Sequence, residues 1–277
     1  MTAAGLLRGA SMRLPAFVLL GLFGLAPLVH GAETAREILD RRKALDDTTR
    51  HWTDRQQRMR FVIVGGSGGE RRRELSVYER RYPQDEIKSV VFFHAPAEVK
   101  GTALLAFTHK GRQGEQWLYL PALARVRVIS GSARREKFVG TDLTYHDLDL
   151  IQEMTSWTEE DATSKLLGAG EVGGVAVHDI ELRPQREDIG YQKVVVALGR
   201  DDLVPRRIEF YEEGSEPLKR ITQSEVRDVG PIPVAHRIEV QTPAAKTSTT
   251  IDVSDVKFDQ SLKDDLFTQR TLERGPP

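Results

Sequence analysis

The sequence predicts a mainly β fold, a curled antiparallel sheet with helices over its concave face, and three observations carry that prediction. From Trp52 onward the chain runs in short stretches such as "QRMRFVIV" and "IKSVVFFHAP", with apolar residues recurring at a period near two. Each break between stretches holds glycine, proline or a charged turn, the spacing of an antiparallel sheet. Only two segments carry a helical period instead. A sheet of roughly ten twisted strands curls, and its hollow side must be filled or covered.

Residues 1–32 read as a cleavable signal peptide. Arg8 and Arg13 precede an uncharged apolar run from Leu14 to Val29, which the small residues Gly31 and Ala32 close. That is the order of charge, apolar core and small residues that such leaders need. The run falls short of the roughly 20 residues of a spanning helix. Cleavage near Gly31 or Ala32 leaves residues 33–277 as one β-rich domain, large enough to bury a sizeable core. Its 38 basic side chains against 41 acidic ones give no electrostatic footprint for nucleic acid.

The 277-residue sequence holds no cysteine. For an exported chain this excludes a disulfide scaffold, thiol catalysis and cysteine-held metal. It also excludes the anchor of a bacterial lipoprotein, which is attached to a cysteine just after the signal. The expectation is a soluble periplasmic monomer with no cofactor.

"ETAREILDRRKALDD" opens the domain. Ala35, Ile38, Leu39, Arg42 and Leu45 recur at spacings of three and four, and Thr34 with Glu37 makes a capping box. "GGSGG" at Gly65–Gly69 lacks the lysine, the Ser/Thr and the following helix of a phosphate-binding loop, so it reads as a hairpin tip. In "ARVRVIS", Arg125 and Arg127 alternate with Val126 and Val128, which predicts one wet face and one dry. Between Thr144 and Leu167 the period changes: Leu148, Ile151, Met154 and Trp157 fall three apart, and Thr144 with Asp147 forms a second cap. A second β series then runs from "VAVHDIEL" to "TSTTIDVSDVKF", with no linker of biased composition before it.

Catalytic chemistry finds little support. No nucleophile elbow occurs, since "SGSAR" lacks its second glycine. Adjacent carboxylates in "TEED" and at Asp201 and Asp202 point apart. His146, Asp147 and Asp149 in "YHDLD" are metal-type ligands without a third direction of coordination, so neither a catalytic nor a metal site is expected. Arginines recur at Arg71–Arg73, Arg80, Arg81, Arg125, Arg127, Arg134 and Arg135. They read as a solvated face protecting edge strands, or as contacts to phosphate or carboxylate headgroups or an acidic partner.

Three blocks together resemble one family: "QWLYLPALARVRVISGSARREKFVGTDLTYHDL", "YQKVVVALGRDDLVPRRIEFYEEGSEPLKR" and "TSTTIDVSDVKFDQSLKDDLFTQRTLER". The chain resembles the LolA-like outer-membrane lipoprotein-sorting proteins, in the branch associated with lipid exporters of the resistance-nodulation-division type. The resemblance implies a half-open antiparallel β-barrel (LolA/LolB-like) of about eleven strands, with helices covering the concave face. It also implies acyl chains held between lid and sheet, an inner-membrane exporter as partner, and no catalytic residue. The better-known carriers place an arginine directly before a proline to hold the lid closed, whereas here Tyr82 separates Arg81 from Pro83.

On that reading Trp117, Tyr119, Val126 and Val128 wall a cavity, Phe138 and Leu143 form its rim, and Tyr145, Leu148, Ile151, Met154 and Trp157 form the underside of the lid. The function that follows is a periplasmic carrier shuttling a lipid or lipoprotein from the exporter toward the outer membrane. The alternatives are a periplasmic lipid-sensing regulator that binds a membrane partner, or an exported hydrolase lacking any visible nucleophile.

Overall fold

The computed structural model describes residues 33–276; the expected signal peptide lies outside them. A first meander runs β1 (Asp54–Val64), β2 (Glu70–Tyr82), β3 (Glu86–Ala95), β4 (Ala103–His109), β5 (Arg112–Leu120) and β6 (Arg125–Val128). A second runs β7 (Ala162–Val172), β8 (Val175–Pro184), β9 (Lys193–Gly199), β10 (Pro205–Tyr211), β11 (Lys219–Val229), β12 (Ile232–Thr242) and β13 (Thr247–Phe258). The two join where β1 pairs antiparallel with β13, making one 13-stranded sheet with β6 and β7 at its edges. The sheet is open and wholly antiparallel, two strands wider than the resemblance implies. "GGSGG" is the β1–β2 hairpin tip, as its composition predicts.

This topology fixes what covers the hollow. Consecutive strands are hairpin neighbours except β6 and β7, which lie at opposite edges. The chain between them has to cross the open side of the curled sheet, and it carries α2 (Tyr145–Glu153) and a following 3₁₀ turn at Met154–Ser156. The first helix, α1 (Ala35–Asp47), lies before β1 and buries Ala35 and Ile38. Both predicted capping boxes form: Thr34 with Glu37, and Thr144 with Asp147. Each cap satisfies backbone N–H groups that a helix start leaves unpaired.

The sheet is apolar on both faces along β3–β5. Val91, Phe93 and Leu104 belong to the main core on the concave face. Val90, Phe92, Ala103 and Leu105 point the other way, into a second cluster with Leu266, Phe267 and Leu272. Those last three sit at and after a short 3₁₀ turn leading into α3 (Gln269–Arg274), which packs on β4, β5 and β6. The C-terminal segment thus covers the convex face, a cover the sequence reading did not foresee. Among the described residues no helix is long and apolar enough to cross a membrane.

Candidate functional site

The concave face, α1, α2 and the loop before α2 enclose a cavity of about 410 Å³, within the ~300–1,000 Å³ range of ligand pockets. Strand alternation builds its wall: Leu75, Val77, Glu79 and Arg81 are the inward residues of β2, and Phe61 and Val253 contribute from the paired strands β1 and β13. Along β2 the wall changes from apolar to charged within six residues. Beyond Glu79 the mouth is lined by Arg42, Asp46, Arg50, Trp52, Arg55 and Arg81.

Four of the eleven expected cavity residues line this space: Phe138, Leu143, Leu148 and Ile151. A buried aspartate holds the first two there. Asp142 accepts from Thr249 Oγ1 at 2.8 Å and from Thr242 Oγ1 at 2.9 Å, and its backbone N–H donates to Thr249 Oγ1 at 3.0 Å. This clamps the "GTDL" loop to the β12–β13 hairpin. The aspartates of "GTDL" and "YHDLD" are held in structural contacts in the same way. Asp147 accepts from Lys219, and from Tyr191 Oη at 2.5 Å. Asp149 pairs with Arg134 at 2.6 Å, both buried. His146 Nε2 donates to the Ile189 carbonyl at 2.7 Å.

The other seven lie elsewhere. Trp117 and Tyr119 face the convex cluster, because Gln116 and Leu118, their neighbours on β5, take the inward positions. Val128 and Val126 pair directly opposite Trp117 and Tyr119 and so share that outer face. Val126 packs against the convex cluster, while Val128 is 58 % exposed. The dry face expected for this strand is only half realised. Tyr145 is buried with its ring 5.7 Å from Phe138. Met154 and Trp157 join the main core, because the tighter 3₁₀ turn after Glu153 breaks the helical register.

Of the polar part of the site, the sequence reading offered only Arg81, among the arginines that could meet a headgroup; Arg42, Arg50, Trp52, Arg55 and Glu79 escaped it. Arg55 pairs with Glu79, and Gln152 donates to Glu79 at 2.8 Å. Trp52 is buried, with the guanidiniums of Arg81 and Arg55 at 4.1 Å and 5.1 Å from its ring centre. Burial lowers the proton affinity of the Arg42 and Arg81 guanidiniums. At the far side of α2, burial pushes the Glu153 carboxyl above its ordinary value against the pull of Arg186. The clue available in the sequence was strand alternation, which puts Arg81 on the same face as Leu75, Val77 and Glu79. No cluster of three or more metal-type side chains occurs among the described residues.

A family model described as an uncharacterized protein matches residues 85–274. No curated protein matches the chain. Among solved structures, a domain from Vibrio parahaemolyticus described as an outer membrane lipoprotein-sorting protein is 28% identical, with a TM-score of 0.77 over 87% of this chain and 98% of that one. A DUF1329 family protein from Desulfovibrio piger is 23% identical with a TM-score of 0.78, covering 87% of this chain and 100% of that one. A LolA superfamily protein from Nitrosomonas europaea, 20% identical over the same shares, gives 0.65. The latter two show the shared fold.

Proposed function

The chain belongs to the uncharacterized family whose model matches residues 85–274 and shares its fold with LolA-like outer-membrane lipoprotein-sorting domains, and on that premise we propose that it is a periplasmic carrier of acyl chains. It takes a lipid or lipoprotein from an inner-membrane exporter of the resistance-nodulation-division type and moves it toward the outer membrane. The observation that carries this reading is the cavity of about 410 Å³ between an apolar sheet face and two helices. Phe138, Leu143, Leu148 and Ile151 are its proposed contacts with the hydrocarbon, joined by Phe61, Leu75 and Val77 from the sheet.

Carrying requires burial and no bond-making. Each CH₂ removed from water contributes about 0.8 kcal/mol, so a 14-carbon chain gains on the order of 10 kcal/mol. A fluorescent fatty acyl probe titrated into the mature protein should show saturable binding that unlabelled tetradecanoate displaces. Absence of saturable binding rejects the carrier. Crosslinking in cells should recover a large inner-membrane exporter, and its absence rejects that partner alone.

A further inference from the structure

The mouth of the cavity carries more positive charge than the protein itself neutralises. Four arginines line it, Arg42, Arg50, Arg55 and Arg81, against two acids, Asp46 and Glu79. Both acids are engaged: Arg42 lies 3.5 Å from Asp46, and Arg55 pairs with Glu79. Among the described residues Arg50 and Arg81 have no carboxylate at ion-pair distance. Asp47, close enough in sequence to reach the mouth, is held by Lys43 at 2.7 Å.

Arg81 is the informative member. It stands on the inward face of β2, one alternation beyond Glu79, with its guanidinium over the buried Trp52 ring at 4.1 Å. The ring holds the guanidinium by a cation–π contact, and among the described residues its N–H groups make no side-chain hydrogen bond, which leaves them for a planar or tetrahedral anion. Arg81 is half-buried, and burial lowers its proton affinity against the pull of Asp46, Glu79 and Asp47, so an anion placed there replaces part of its lost solvation. Arg50 follows the C-terminus of α1 and lines the same opening. The deeper wall, through Val77 and Leu75 to Phe61 and Phe138, has no charge.

We propose that Arg50 and Arg81, with Trp52, form a headgroup site for an anionic amphiphile, a carboxylate or phosphate monoester whose hydrocarbon tail occupies the apolar part of the cavity. The inference rests on the carrier reading and narrows its cargo: anionic lipids are selected over neutral and cationic ones of the same chain length. The gradient from Arg81 to Leu75 along one strand also sets the direction of loading, tail first.

The test is displacement of a fluorescent acyl probe by four compounds with the same tail: tetradecanoate, tetradecyl phosphate, tetradecanol and tetradecyltrimethylammonium. The anionic pair should bind about tenfold or more tighter than the alcohol, and the ammonium weakest. In Arg50→Gln/Arg81→Gln the ratio of anion to alcohol should fall to about one. Equal binding of anion and alcohol by the unmodified protein, a comparison that needs no variant, overturns the headgroup site while leaving the carrier reading standing. A preference that survives the double substitution overturns the assignment to these arginines. If no tailed compound binds, the carrier reading falls as well. Inorganic phosphate alone at millimolar concentration should leave the probe in place; displacement by it would mark a free-anion site and overturn the lipid headgroup.

Discussion

Gln152 on α2 donates its side-chain amide to Glu79 on β2 at 2.8 Å, and its carbonyl accepts from Thr108 on β4 at 3.2 Å. The helix is thereby stitched to two strands of the cavity wall. Asp147 to Lys219, Asp149 to Arg134 and Glu153 to Arg186 fasten its other sides. The ion pairs of α1, by contrast, stay near that helix: Arg36 with Asp40, Arg41 with Glu33, Arg42 with Asp46 and Lys43 with Asp47. With only Ala35 and Ile38 buried, α1 is the weaker cover. Local opening follows low contact density and sparse burial, so α1 amides should exchange with deuterium well ahead of those of α2. Equal protection of both helices would contradict α1 as the more weakly held of the two.

Asp147 is fully buried and Lys219 is 4 % exposed. Asp147→Ala should destabilise the fold by about 3–5 kcal/mol, since it leaves a buried ammonium without its partner. Adding Lys219→Met should recover part of that loss by removing the stranded charge. Urea denaturation of both variants measures the difference; a double variant no more stable than the single one rejects the pairing as the cause.

Gly114 on β5 is a close approach. A Cβ there would lie 2.3 Å from the Phe107 carbonyl oxygen and 2.6 Å from Asp149 Oδ1. Gly114→Ala must push apart β4 and β5 or displace the carboxylate that Arg134 holds. A cost of about 1–3 kcal/mol follows from such overpacking. A midpoint of unfolding unchanged from the parent would show that the strand has room to spare.

These contacts show what the sequence made legible and where it stopped. Thr34 with Glu37 and Thr144 with Asp147 were readable because a capping box is closed within four residues. The strands were readable because alternation is local. Which face of β5 points inward was not, since period two gives two faces and no sign. Trp117 and Tyr119 turned outward because Leu266, Phe267 and Leu272, about 150 residues later, supply an apolar cover there. Their presence beyond the last strand was the available clue: apolar residues after a finished sheet need a surface to rest on. Arg134 and Asp149 meet across 15 residues, and Asp142 meets Thr249 across 107, separations at which no spacing rule operates.

Tyr145 gives a pH test. Burial pushes its phenol from the ordinary 10.0 up to about 12. Between those values the unfolded chain has lost this proton and the folded chain has kept it, so the unfolded state binds fewer protons and stability falls as pH rises. The contribution is fully present below pH 10 and fades toward 12, at most about 1.4 kcal/mol per unit. Tyr145→Phe should therefore show a shallower alkaline loss in urea melts, with Tyr191, also raised by burial, keeping part of the slope. A slope identical to the parent would place the Tyr145 hydroxyl in contact with water.

The most direct measurement is organic extraction and mass spectrometry of the protein purified from cells, beside Ala106→Trp. Ala106 is an inward residue of β4 lining the cavity, and an indole there fills much of the space a tail would take. The parent protein should yield acyl lipid in near-stoichiometric amount, and the variant, folded by circular dichroism, should yield little. A parent that comes out lipid-free and fails to bind an acyl probe, or a variant that carries as much lipid as the parent, would contradict the account.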